Sequence, residues 1–196
     1  MNSIDEYFNH EVNRPTDINQ HLECLKRYAS ECDRIIELGV RDVVSTWAFL
    51  AGRPKRMLSI DIQQSPANKI QDAYRFCAEE GIDYEFRIAD TSDEKLVLEE
   101  TDLLFIDTWH IYEQLKQELT LHGNKAQKYI IMHDTTLFEF EGTPEHFNAK
   151  IAPNATRRGL WPAIEEFLAD NPEWSIKERF THNCGLTILG RVQKSS

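Results

Sequence analysis

Two short segments carry acids and histidines side by side. In Leu104-Phe105-Ile106-Asp107-Thr108-Trp109-His110 an apolar run closes on an aspartate, and a histidine follows on the next turn of chain. In Tyr129-Ile130-Ile131-Met132-His133-Asp134-Thr135 a second apolar run closes on a histidine and an aspartate together. If both runs are adjacent parallel strands, Asp107 and Asp134 meet at one edge of the sheet. Two carboxylates there are ready ligands for a hard divalent cation such as Mg²⁺, with His133 or Thr135 completing the set, although imidazole suits Mg²⁺ less well than oxygen does. A cation holding a substrate hydroxyl lowers its pKa, and a nearby imidazole can take the proton. His110 is the expected base and His133 the alternative in either role. The competing reading makes His110 a cap or packing residue at the start of a helix over residues 111–121.

A second group of residues points to a ligand loop. Glu37-Leu38-Gly39-Val40-Arg41 ends an earlier apolar run, and Gly39 would let the backbone turn sharply and approach a ligand. A following helix N-terminus would favour a carboxylate. A pyrophosphate-bearing nicotinamide cofactor calls for G-x-G-x-x-G, of which the chain keeps only the first glycine. S-adenosylmethionine (SAM), which has no phosphate, needs the others less. Asp61, about 20 residues past the glycine, is placed to bind a vicinal diol. Taken singly, each strand-end aspartate is more simply a helix cap or turn former.

The elements that must position these residues alternate along the chain. Apolar runs of strand length occupy residues 34–38, 57–62, 84–89, 102–106 and 129–132. Helical spacing lies between them, at Ile70, Tyr74 and Cys77 and at Ile111, Leu115 and Leu119. Ile18, Leu22, Leu25 and Ala29 predict one amphipathic helix before the sheet. That alternation implies a doubly wound α/β fold with a mostly parallel sheet. Trp161, Ile164, Phe167 and Leu168 mark a late helix with Pro162 in its first turn, ended by Asn171-Pro172. Two further strands, 174–180 and 186–192, are separated only by Thr181-His182-Asn183-Cys184-Gly185, too short for a parallel crossover, so they form an antiparallel hairpin. Seven strands result.

The chain has 196 residues, 41% of them hydrophobic, enough for one continuous core. The expected organisation is a single domain, residues 34–196, with an N-terminal helical segment, residues 1–33, packed on it. No stretch approaches the roughly 18 apolar residues of a membrane span, and the N-terminus lacks the basic-then-apolar order of a signal peptide. The expectation is a cytoplasmic protein with no membrane partner. A net charge of −11 disfavours nucleic acid, which asks for clustered Lys and Arg; Arg53-Pro54-Lys55-Arg56 and Arg157-Arg158 are short groupings. Cys24, Cys32, Cys77 and Cys184 lie far apart, so free thiols are expected. A homo-oligomer is left open. Residues 135–158 form a long segment without periodicity, expected to close over an acceptor. Phe138, Phe140 and Phe147 would wall the pocket or simply anchor the loop, and Arg157 or Arg158 would meet an anionic group.

Glu37-x-Gly39, Asp61, Asp90 and Asp107, closing or following successive strands, resemble the motif series of class I SAM-dependent methyltransferases. The resemblance implies that Asp61 accepts from both ribose hydroxyls, Asp90 contacts the adenine amino group and Gly39 lines the methionine end. Glu37, Val40, Arg41, Ser45, Ile62, Thr91 and Asp107 would complete the cofactor site. One departure is Val43, where such families usually carry a second glycine. The Asp107 and Asp134 pair resembles the metal-holding small-molecule O-methyltransferases, and Asp107-x-x-His110 resembles the macrolide-sugar and cephalosporin-hydroxylase-like branches. The likeness runs through Gly159-Leu160-Trp161-Pro162-Ala163-Ile164 and Asn183-Cys184-Gly185-Leu186-Thr187-Ile188-Leu189. It implies transfer of a methyl group from SAM, by in-line displacement, to a hydroxyl on a small sugar- or polyol-like acceptor, with Asp107, Asp134 and His133 as Mg²⁺ ligands and His110 or His133 as base. The alternatives are a non-catalytic SAM-binding module of the same fold and an NAD-dependent oxidoreductase.

Overall fold

A computed structural model describes residues 1–143 and 155–192. The sheet runs in the order β3-β2-β1-β4-β5-β7-β6. Its parallel strands are β1 (Arg34–Leu38), β2 (Arg56–Asp61), β3 (Asp83–Ile88), β4 (Thr101–Ile106) and β5 (Ala126–His133). The closing strands, β6 (Trp174–Phe180) and β7 (Leu186–Arg191), are an antiparallel hairpin, as their short connection requires. It is β7 that pairs with β5, also antiparallel, which leaves β6 at the edge.

Side chains alternate across each strand and divide the core in two. Ile35 on β1 joins Trp47, Phe49, Met57, Ile70 and Phe76 on one face, while Ile36 and Leu38 join Leu104, Leu115, Ile130 and Ile164 on the other. The first face is covered by α1 (Ile4–Asn13), α2 (Leu22–Ala29), α3 (Ser45–Ala51) and α4 (Ala67–Glu80), the second by α5 (Tyr112–His122) and α6 (Trp161–Asp170). The N-terminal helices share the first core through Ile4, Phe8, Leu22 and Leu25. No helix among the described residues is long and apolar enough to cross a membrane.

Three expectations change. A single helix from Ile18 becomes α2 from Leu22, preceded by a short 3₁₀ turn at Asn19–His21, and α1 stands before both. Ser3 caps α1, accepting from the Glu6 N–H at 3.1 Å, with Asp5 and Glu6 in its first turn. On α4, Tyr74 is 42% exposed; its ring packs on Tyr84 and its hydroxyl accepts from the Phe86 N–H at 2.8 Å. The buried stripe is instead Ile70, Ala73, Phe76 and Cys77. Finally, the described ends of the 135–158 segment are pinned together: Gly159 and Leu160 N–H groups donate to Phe140 and Phe138 carbonyls at 2.9 and 2.8 Å. Phe147 lies outside the described residues.

Candidate active site at the carboxyl edge of the sheet

From β1 the chain winds to β2 and β3 on one side, while β4 and β5 lie on the other, so a crevice opens where the two directions part. A cavity of ≈ 640 Å³ occupies it. Its wall includes Gly39, Val40, Arg41 and Ser45, then Asp61 and Ile62, Asp90 and Thr91, and Asp107 and His110. Of the residues expected to meet a cofactor, only Glu37 is missing from that wall.

Glu37 is fully buried beneath the cavity. Its carboxylate accepts from Ser45 Oγ at 2.6 Å, Thr46 Oγ1 at 2.8 Å and Ser59 Oγ at 2.6 Å. It ties β1 to the first turn of α3 and to β2, a positioning role in place of ligand contact. Burial pushes its pKa up to about 7, against the three hydroxyls that favour its charge. Ser45 stays in the cavity wall while its hydroxyl donates to Glu37.

The glycine at position 39 has a sharper cause than ligand approach. Its φ is +87°, and a Cβ would overlap the backbone carbonyl oxygen of Asp107. The β1 loop therefore lies directly on the β4 loop. Val43, in the place of the second glycine, keeps the backbone a glycine would adopt, with φ +60°. That conformation costs a side-chain-bearing residue about 1–2 kcal/mol. Val43 is fully buried in the first core, and burial of a valine contributes about 1.5–3 kcal/mol, enough to offset the strain.

Asp61 braces the same loop. Its Oδ2 accepts from the Val40 and Arg41 N–H groups, both at 2.9 Å, and its Oδ1 from Gln63 N–H at 2.9 Å. Asp90 accepts from Ser92 N–H and Oγ at 2.9 and 2.6 Å, forming a turn after β3. Behind Thr91 the buried Glu118 accepts from Thr91, from Gln114 Nε2 at 2.7 Å and from Thr108 Oγ1 at 2.8 Å, fixing three residues of the cavity wall. Burial pushes Glu118 up to about 7 as well. Sequence reasoning missed this cluster because it depends on α5 meeting two loops.

At the other end Asp107, His110, His133 and Asp134 converge. Ligand atoms of Asp107, His110 and Asp134 lie within 4.8 Å of one another. His110 Nε2 is 2.8 Å from Asp134 Oδ2 and 3.4 Å from Asp107 Oδ1. Burial alone would lower the His110 pKa, but the two carboxylates outweigh it and push it up to about 10. So long as both carboxylates face it, His110 favours its protonated form. The Phe138 ring stacks on it, centroids 4.6 Å apart, and fixes its plane.

His133 is sequestered, its side chain 1% exposed. Its Nε2 faces the carbonyl oxygens of Asp17 and Asn183 at 3.1 and 3.2 Å. Carbonyls only accept, so Nε2 carries a hydrogen. Nδ1 then points at Asp107 Oδ2 and Asp134 Oδ2 from 3.5 and 3.6 Å, with no hydrogen-bond partner. Burial opposes a charge here, but Asp107 and Asp134 push the His133 pKa up to about 9. Enclosure raises Asp107 in turn, yet the charges of His133 and His110 and the His110 hydrogen bond hold it well below the usual carboxylate range. Asp134 stands in left-handed backbone, φ +60°. Thr135 is absent from the cluster, its hydroxyl paired with Thr187 Oγ1 at 2.8 Å.

The basic pair expected near an acceptor is used elsewhere. Arg158 lies over the Tyr112 ring, 3.9 Å from its centroid, and Arg157 faces Glu141. Neither lines the cavity. Phe140 is 68% exposed and walls nothing. The segment between α1 and α2 was not expected here, yet Asp17 and Ile18 are part of the wall.

The sequence matches no family model and no curated protein. Solved structures match over nearly its whole length. The O-methyltransferase from Bacillus cereus, in complex with S-adenosylhomocysteine (SAH), is 15% identical, with TM-score 0.60, over 97% of this chain and 90% of its own. The O-methyltransferase TomG from Streptomyces achromogenes, in complex with SAM, is 15% identical, with TM-score 0.60, over 96% and 91%. The ribosomal protein L11 methylase from Lactobacillus delbrueckii subsp. bulgaricus is 16% identical, with TM-score 0.53, over 89% and 80%. With its parallel strands, crevice and closing hairpin, the chain has the Rossmann-like fold of class I methyltransferases.

Proposed function

We propose that the protein is a SAM-dependent methyltransferase that methylates a hydroxyl of a small, polyol-like acceptor. The observation that carries this reading is the charge of the cavity. Asp17, Asp42, Asp61, Asp90 and Asp107 line it, against Arg41 as its only lysine or arginine among the described residues. Such a wall repels a pyrophosphate and favours the sulfonium of SAM, which argues against the nicotinamide reading. Asp61 takes the ribose diol, its oxygens keeping lone pairs beyond the loop contacts. Asp90 and Thr91 meet the adenine side, with Val40 and Ile62 as apolar walls, and Gly39 and Arg41 meet the methionine end.

The acceptor lies against Asp107 and His110, with the buried His133 and Asp134 behind them. These residues fit a divalent cation: the lone buried Nδ1 of His133 faces two carboxylates, and its other nitrogen is anchored by backbone carbonyls, as metal-binding histidines usually are. Imidazole in the donor set suits Mn²⁺ or Zn²⁺ better than Mg²⁺. A bound cation would supply Lewis acidity that lowers the pKa of the acceptor hydroxyl. The chain's own part is alignment. Asp107 spans both halves of the site, Phe138 holds the His110 plane, and His110, once its carboxylate partners are engaged elsewhere, is placed to take the hydroxyl proton.

Calorimetry with SAM, SAH and NAD tests the cofactor. The expected result is binding of SAM and SAH and none of NAD; tight NAD binding would overturn the reading. Turnover is then sought with polyols in Mn²⁺, Zn²⁺, Mg²⁺ and chelator. SAM binding without transfer under any of these would leave a binding module.

A further inference from the structure

Asp17 and Arg41 face each other across the cavity wall, with Arg41 Nη2 2.8 Å from Asp17 Oδ2. Each is anchored from a different side. The Asp17 carbonyl accepts from His133 Nε2 at 3.1 Å, and the adjacent Thr16 carbonyl accepts from Asn183 Nδ2 at 2.9 Å. The Arg41 N–H donates to Asp61 Oδ2 at 2.9 Å. The pair thus sits between the aspartate assigned to the ribose and the cluster assigned to the acceptor, where the methionine end of the cofactor must lie. The Arg41 and Asp17 side chains are 69% and 37% exposed, so their attraction is screened and easily exchanged.

The methionine end is a zwitterion, with an ammonium and a carboxylate on one carbon. Its carboxylate would be repelled by Asp42, Asp61 and Asp107 unless a cation received it, and Arg41 is the arginine on that wall. We propose that Asp17 and Arg41 form a charge clamp for this zwitterion: Arg41 receives the carboxylate in a forked contact, Asp17 receives the ammonium, and both give up their mutual bond. This rests on SAM being the cofactor. It makes the segment between α1 and α2 part of cofactor recognition, through a residue outside the strand-end motif series.

The test crosses ligand truncation with substitution. Calorimetry is run with SAH, its deaminated analogue, its decarboxylated analogue and 5′-methylthioadenosine, on the wild type, Asp17→Asn and Arg41→Gln, with Arg41→Lys as the charge-keeping control. Wild type should lose about tenfold or more in affinity for each truncation. Asp17→Asn should erase the discrimination against the deaminated analogue and keep that against the decarboxylated one. Arg41→Gln should do the reverse, and Arg41→Lys should restore part of the carboxylate preference. Unchanged binding of 5′-methylthioadenosine shows that each variant keeps its adenosyl site. If both variants retain the wild-type order of affinities, or if wild type binds 5′-methylthioadenosine as tightly as SAH, the clamp is overturned while the cofactor stands. Failure of wild type to bind any adenosyl ligand sinks the cofactor reading and the clamp together.

Discussion

The two halves of the sheet's carboxyl edge use the same residue type in different ways. On the β2 and β3 side, Asp61 and Asp90 accept from backbone N–H groups and a serine hydroxyl, and these contacts shape the loops. On the β4 and β5 side, Asp107 and Asp134 face His110 and His133, and each charge depends on the others. An aspartate at a strand end becomes a scaffold where its neighbours are neutral donors. It becomes part of a charge cluster where its neighbours are histidines.

Four substitutions would break or sharpen that contrast. The largest effect is expected from Asp134→Asn, which removes the closest partner of His110: turnover should fall about 10²–10⁴-fold, while SAH affinity by calorimetry stays within about threefold. Full activity in this variant would move the reaction away from the β4 and β5 half. Next comes Glu118→Gln. In the wild type, Glu118 keeps its proton up to about pH 7 when folded and loses it near 4.5 when unfolded. Stability from this group is complete below 4.5 and lost as pH rises through 7, on the order of a few kcal/mol. Denaturant unfolding across that range should show the decline in wild type and a shallower one in Glu118→Gln, Glu37 supplying the remainder; equal slopes would remove Glu118 from the account of acid stability.

Asp61→Ala should weaken SAH binding about 10–100-fold, through loss of the diol contact and of two loop anchors, with less effect on turnover at saturating SAM. An unchanged dissociation constant would refute its place at the ribose. The smallest change is expected for Val43→Gly. Relief of the left-handed strain and loss of buried side chain nearly cancel, so the unfolding free energy should shift by only about 1 kcal/mol. A loss of several kcal/mol would mean the strain at Val43 is negligible.

Much of the scaffold is legible in the sequence because continuous apolar runs of strand length report directly on strands covered on both faces. β1 and β6 are found with their observed ends, and β5 extends from 129–132 to Ala126–His133 because its first turn is too polar to read as strand. The missed α1 is instructive. Its stripe of Ile4, Tyr7 and Phe8 should continue at position 11, but Glu11 stands there, buried and paired with Arg14 and Lys69. A buried carboxylate interrupts the apolar period on which such a reading depends. In the site, strand-end acids are visible because the fold sends strand ends to one edge. The pairing of His110 with Asp134, the donor set around Glu118 and the approach of Asp17 are contacts between distant segments, and no local pattern encodes them.

The contact of Gly39 with the Asp107 carbonyl has a consequence for how the halves respond to one another. The turn after β1 rests on the backbone of a residue in the acidic cluster, with no room for even a methyl group between them. A displacement of either loop toward the other would meet backbone at once. If the proposed cofactor and a cation both bind, thermodynamic linkage makes any coupling between them mutual: whatever factor the cation adds to cofactor affinity, the cofactor would return to the cation. Order of addition would change the route to the ternary complex and leave its stability the same.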